Sequence, residues 1–328
     1  VSEVAGVAFD LADDWVWDFW LADDGAAHHL FFLKAPRSLG DPELRHRNAS
    51  TGHAVSTDLR SWTRVADALD PQPSPAFDDL ATWTGCVVRA DDGSWRLFST
   101  GLSRAEDGMV QRVGVSSSDD LVTWKREAGP LLEADPQWYS TRPAGAAETH
   151  WRDPWVCRDA TGLWHLYATA RGLEGDGAVV AHAVSEDLWS WEVRPPLSPP
   201  STRFTWAEVI SLHELDGRWV LVFSCLADQM PGAPDGAGGV WAVPVDGPGA
   251  PVDLDRATRI TSEDLYVGKL ARTRAGEHRF LAFQNHDATG GFTGGVIEPV
   301  PVAWSSDGTG LVLDGVPRRW LPAEAREF

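Results

Sequence analysis

The chain has 328 residues, 43% of them hydrophobic, which is enough for a large core in one unit spanning 1–328. Its 48 acidic against 28 basic residues give a net charge of −20, so nucleic acid and anionic membranes are excluded as partners and a neutral ligand fits better. Cys86, Cys157 and Cys225 each sit alone in an apolar run, which indicates neither a disulfide framework nor a zinc site and favours a cytoplasmic over a secreted setting.

The predicted elements are short and apolar. A strand at VAFDL (7–11) comes first, and five hairpins follow: WDFWLADDGAAHHLFFL, TGCVVRADDGSWRLFST, RDPWVCRDATGLWHLYAT, AEVISLHELDGRWVLVFS and VGKLARTRAGEHRFLAF. Each is a strand, an Asp/Gly-rich turn and an aromatic-apolar strand. A seven-residue phrase follows the first three of them: STDLRSW (56–62), SDDLVTW (118–124) and SEDLWSW (185–191). Its Ser, Asp and Leu are expected to form a turn, while Trp62, Trp124 and Trp191 open the next strand and pack between sheets. Pro-rich stretches at 71–75, 195–200 and 231–251 are read as connectors between repeats.

Two hairpins per repeat, five repeats and no helical periodicity predict an all-β fold. The expected architecture is a five-bladed β-propeller of four-stranded antiparallel blades around a central funnel, with no C-terminal β-sandwich. VAFDL is expected to close the ring by pairing near LVLDG (311–315). No apolar run approaches the 18 or so residues that span a bilayer, and nothing in the sequence bears on oligomeric state.

Counting back thirteen residues from Phe31, Leu97, Leu166, Leu221 and Phe280 reaches Asp18, Thr84, Asp153, Glu208 and Val267. In a propeller the first strand of each blade lines the channel, so these positions form a ring at one end of the funnel. Three are carboxylates. Clustered carboxylates repel and split their pKa values, the arrangement that acid/base chemistry on a glycosidic bond requires. Glu208, flanked by Trp206, Val209 and Ile210, is the one expected to have a raised pKa, and Arg152 is expected to keep Asp153 ionised.

Among the 18 tryptophans, Trp95, Trp164 and Trp219 occupy repeated positions and read as packing, whereas Trp17, Trp20, Trp83, Trp151 and Trp206 adjoin the ring and are candidates for a substrate wall. His53 reads equally as a sugar contact or a structural residue, because His182 recurs in the same AHAVS/HAVS phrase. Of His28 and His29, adjacent in a strand, one is expected to face inward and the other outward. His150, Asn285, His286 and Asp287 lie in loops able to reach the funnel.

In their order and spacing these segments resemble the β-fructofuranosidases of glycoside hydrolase family 32, with levansucrases and arabinan-cleaving propeller enzymes further out. HHLFFLKAP (28–36) is similar to the family's Y-H-L-F-Y-Q-Y-N-P segment and TGHAVSTDLRSW (51–62) to its W-G-H-A-x-S-x-D-L-x-x-W segment. TWTGCVV (82–88) is similar to its F-S-G-S stretch, WRDPWV (151–156) to its R-D-P motif, and AEVISLHELDGRWVLVFS (207–224) to its E-C-P region. The resemblance implies a retaining glycosidase without cofactor or metal, acting on a fructofuranoside or similar carbohydrate, with possible transfer to an acceptor sugar. Asp18 would be the nucleophile, Asp153 the transition-state stabiliser and Glu208 the acid/base; Arg152, Thr84, Tyr266 and Lys269 would adjoin the sugar. The departures are specific. Asp18 lies in DDWVWDFW rather than W-M-N-D-P-N-G, and Leu33, Val209 and Lys269 replace the family's glutamine, cysteine and glutamine. An inverting arabinofuranosidase with Asp18 as general base, and a sugar-binding propeller without catalysis, are compatible with the same residues.

Overall fold

The computed structural model describes residues 5–141, 148–287 and 289–325. Its strands form five antiparallel sheets, the blades of a five-bladed β-propeller. Blades one to four are meanders of four strands, the first running Asp14–Asp23 in blade one, Ala81–Arg89 in blade two, Trp151–Arg158 in blade three and Glu208–Leu215 in blade four. Blade five begins at Leu265–Arg272 and is composite. Its third position is shared by Val296–Ile297 and Val300–Trp304, and its outer edge is made end to end from Val7–Phe9 and Leu311–Leu313. The amino-terminal strand thus closes the ring, but it pairs with Val296–Ile297; only the Ala5 amide reaches Gly315, at 3.4 Å. The reason is that Leu311–Leu313 is already paired to Val302–Trp304, leaving the other half of the edge open. No second sheet pair follows blade five among the described residues, and no helix in them is long and apolar enough to cross a membrane.

The repeated Ser-x-Asp-Leu phrase forms one turn three times. Ser56, Ser118 and Ser185 hydroxyls bond Asp58, Asp120 and Asp187, whose Oδ1 atoms each accept the backbone amides two and three residues on. Leu59, Leu121 and Leu188 are then held at φ of 64°, 64° and 68°. Left-handed leucine costs about 1–2 kcal/mol, but each side chain is buried at 1% exposure or less, which contributes about as much in the other direction. The phrase is therefore a device for driving a leucine between sheets. Trp62 and Trp191 lock it by donating Nε1–H to the Leu59 and Leu188 carbonyls.

Two expectations fail here. The stretch 231–251 is not a connector, because Gly239–Val245 inside it is the third strand of blade four; its glycines and prolines flank a strand instead of replacing one. His28 and His29 are both buried, since an inner strand of a propeller blade is covered on both faces by neighbouring blades and strict alternation carries no in/out signal there.

Candidate active site

Each first strand carries a one-residue bulge at the same height, at Asp18, Thr84, Asp153–Pro154, Val209–Ile210 and Val267–Gly268. An extra residue re-aims the side chains around it. The result is two stacked rings. The residues just before the bulge, Trp17, Trp83, Arg152, Glu208 and Tyr266, all line one central cavity, and so do the bulge residues Asp18, Thr84, Asp153 and Val209. Glu208 therefore stands one place earlier than its counterparts Asp18 and Asp153. The count of thirteen slips in blade four because its hairpin closes through a two-residue turn, Asp216–Gly217, with φ of 53° and 75°. Left-handed geometry recurs at three bulges, with φ of 58° at Asp153, 52° at Val209 and 54° at Val267.

The cavity, about 620 Å³, brings the three carboxylates together. Thr84 Oγ1 donates to Asp18 Oδ2 at 2.5 Å. Asp153 Oδ2 accepts from Thr169 Oγ1 and the Val209 amide, and its own amide is held by Thr100 Oγ1. Glu208 is gripped from two sides: Arg152 Nη2 donates to Oε1 and the Tyr266 hydroxyl to Oε2, each at 2.6 Å. Arg152 Nε also lies 3.5 Å from Asp153 Oδ2.

The electrostatics invert the expectation. Burial, reinforced by Asp153 and Glu208, pushes Asp18 up to about 7 despite the Thr84 bond. Burial also lifts Asp153 to about 6 against the pull of Arg152, so the arginine does not hold it at an ordinary value. Burial acts on Glu208 in the same sense, but Arg152, Tyr266 and Gln229 outweigh it and leave Glu208 below its usual range. The apolar neighbours seen in the sequence were the wrong predictor, because the bulge turns Glu208 toward donors from blades three and five.

Of the other candidates, Trp17, Trp83, Trp206, Arg152, Thr84 and Tyr266 line the cavity, as do His150, Asn285 and His286. Five do not. Trp20 and Trp151 are fully buried between blades, Trp20 beside Phe31 and Trp151 against Tyr139. His53 is also fully buried, bonded to His29 at 2.9 Å and stacked on Phe31, and His165–His182 repeats the arrangement in blade three. Lys269 is 3% exposed and donates to the Val209 carbonyl at 3.1 Å, beneath the cavity. Asp287 caps its own loop through Thr289 and Gly291.

The sequence reading missed Glu43, Arg45 and His46, carried into the cavity by a 3-10 turn at Pro42–Asn48 inserted between strands of blade one, and Glu148 and Arg171 from blade three. The only signal for the first group was an Asp41-Pro42 start that caps the turn through Glu43 N. Among the described residues no group of three or more His, Cys, Asp or Glu side chains is placed to hold a metal ion.

The description "Glycosyl hydrolases family 32 N-terminal domain" matches residues 21–238. The chain belongs to glycoside hydrolase family 32. The matched span holds Asp153 and Glu208, while Asp18 lies just ahead of it. Among curated relatives, the chain is 31% identical over 173 residues to an insoluble β-fructofuranosidase (isoenzyme 7) of Oryza sativa subsp. indica, covering 50% of this chain and 26% of the relative. It is 31% identical over 178 residues to a fructan 6-exohydrolase of Triticum aestivum, covering 50% and 27%. The matched segment thus spans about a quarter of the length of these relatives. Among solved structures, the fold is similar to an inulosucrase from Halalkalicoccus jeotgali bound to kestose, with TM-score 0.71, 21% identity and coverage of 100% and 94%. It is also similar to fructan 1-exohydrolase IIa from Cichorium intybus, with TM-score 0.70, 17% identity and coverage of 98% and 61%.

Proposed function

We propose that this family 32 chain is a retaining glycoside hydrolase acting on a β-fructofuranosyl or similar furanosyl unit, with Asp18 as nucleophile, Glu208 as acid/base and Asp153 as stabiliser of the sugar. The observation that carries it is the meeting of these three carboxylates, from blades one, three and four, in one cavity. On this reading the propeller acts as one unit, because no single blade holds the site.

In the first step an Asp18 oxygen bonds the anomeric carbon as the bond to the leaving oxygen breaks, and Glu208 gives that oxygen its proton. The oxocarbenium-like charge is balanced by Asp18 below and Asp153 beside it. In the second step Glu208, now a carboxylate, takes a proton from water or from an acceptor hydroxyl, whose oxygen displaces Asp18. Which of the two attacks decides between hydrolysis and transfer. The cavity holds its proton preferentially on Asp18, so the productive form, with Asp18 ionised and Glu208 protonated, is the minor one. A leaving oxygen docked at Glu208 in place of the Arg152 contact would favour it. The three free thiols fit a reducing compartment.

The test is release of fructose from sucrose, inulin, levan and methyl β-D-fructofuranoside, followed by NMR of the first-formed anomer, with Asp18→Asn and Glu208→Gln as controls. Cleavage with retention that both variants abolish supports the assignment. Inversion, activity on arabinofuranosides alone, or turnover that survives Asp18→Asn overturns it.

A further inference from the structure

Trp206, two residues before Glu208, lines the cavity, yet its indole is not free to stack on a sugar. Arg171 lies over the ring at 4.0 Å, Arg152 at 5.0 Å, and the His150 ring packs on it at 4.0 Å. Of the two guanidiniums Arg152 is committed, to Glu208, His150 and Gln111. Arg171 is not. It ends the second strand of blade three and faces the cavity, and its side chain makes no hydrogen bond or ion pair with any described residue; its Nε is buried without a partner. A guanidinium held flat on an indole and left with unused donors is preorganised for a ligand.

Glu148 lines the same cavity. Its Oε1 accepts from Gln111 Nε2 at 2.6 Å, and Oε2 takes no hydrogen bond from any described residue. Arg171 and Glu148 line the same cavity and feel each other's charge, yet form no ion pair. An opposite pair left open, one side donor and the other acceptor, matches two adjacent hydroxyls, each of which both donates and accepts. The location fixes which sugar is read. Arg152, which bonds Glu208, also stacks on the Trp206 ring that carries Arg171, so the pair belongs to the Glu208 side of the cavity, where the proposed acid would protonate the leaving oxygen.

We propose that Arg171 and Glu148 form a leaving-group subsite that recognises a vicinal diol of the sugar being expelled, and equally of a sugar acceptor. This rests on the proposed furanosidase reading. Arg171 is then a specificity-determining residue, while bond cleavage itself depends on Asp18 and Glu208.

The test compares two substrates in one protein: sucrose, whose leaving group offers vicinal hydroxyls, and methyl β-D-fructofuranoside, whose leaving methanol has none. Arg171→Gln and Glu148→Gln are expected to lower the ratio of kcat/KM for sucrose to that for the methyl glycoside at least tenfold, mainly through KM. The same ratio as wild type in both variants overturns the subsite while leaving the proposed reaction standing. Calorimetry in an Asp18→Asn background needs no turnover. Sucrose binding weakened at least tenfold by the added Arg171→Gln, against a smaller loss for the methyl glycoside, supports the subsite, and equal losses overturn it. A protein that neither cleaves nor binds either sugar overturns the subsite and the furanosidase reading together.

Discussion

Arg152 on blade three reaches Glu208 on blade four at 2.6 Å, and Tyr266 on blade five closes the same carboxylate from the other side at the same distance. Both contacts favour the charged form of Glu208. With Asp18 raised to about 7, the pH profile of kcat/KM is bounded below by Glu208 and above by Asp18. Tyr266→Phe removes one charge-assisted bond worth about 1.5 kcal/mol, or roughly one pH unit. The Glu208 pKa rises, so the acid limb is expected to move to higher pH by about that amount. Rate measurements on methyl β-D-fructofuranoside between pH 3 and 9 check this, and an unmoved acid limb would show that Tyr266 does not act through Glu208.

Thr84 acts on the other boundary. Its hydroxyl favours ionised Asp18, so Thr84→Val raises Asp18 further. The alkaline limb is expected to move up, and the productive protonation state to become rarer by about tenfold for each pH unit that the limb moves. The maximum of kcat/KM therefore falls while the profile widens. Thr84→Ser, which keeps the hydroxyl, is expected to restore both, and a maximum unchanged in Thr84→Val contradicts the link.

Asp18 also weighs on stability. Its folded value of about 7 stands above the ordinary 3.8, so between roughly pH 4 and 7 the folded state keeps a proton that the unfolded state has lost. Stability from this group falls as pH rises through that window and stays low above it. Asp18→Asn removes the effect, and its gain in Tm over wild type is expected to be larger at pH 8 than at pH 4. A gain that is the same at both pH values would place the cause elsewhere.

How much of this was legible in sequence depends on whether the signal repeats. The hairpins, the Ser-x-Asp-Leu turns and the carboxylates at Asp18 and Asp153 recur at matching positions, so comparing the chain with itself exposes them. Glu208 came through with its position off by one, because a shorter turn changed the count. Trp20 and Trp151 were misread for a different reason. Adjacency to the ring says nothing about facing, and Trp151 stands one residue from Arg152, on the opposite side of its strand. Arg45 and Arg171 were invisible because neither belongs to a first strand; one rides an inserted turn and the other ends a second strand. The protonation pattern was hidden altogether, since it depends on donors brought from other blades.

The bulge of blade two carries a final consequence. Gly85 follows Thr84, and a Cβ at that position would lie 2.0 Å from the Phe98 carbonyl oxygen and 3.1 Å from its carbon. Both are backbone atoms of the paired strand, so no side-chain rotation relieves the overlap. Gly85→Ala must therefore open the hairpin next to Thr84. Overpacking of this kind costs typically 1–3 kcal/mol, so a loss of about 2 kcal/mol in denaturant unfolding is expected. The displacement also draws Thr84 Oγ1 away from Asp18, so the variant that remains folded is expected to show the Thr84→Val pH profile. Gly93, at the tip of the same hairpin, is the control. A Cβ there meets nothing closer than 3.9 Å, and Gly93→Asn, which tolerates its φ of 86°, is expected to leave the pH profile unchanged. A Gly85→Ala protein with wild-type stability and an unshifted profile would mean that the bulge does not set the Thr84–Asp18 contact.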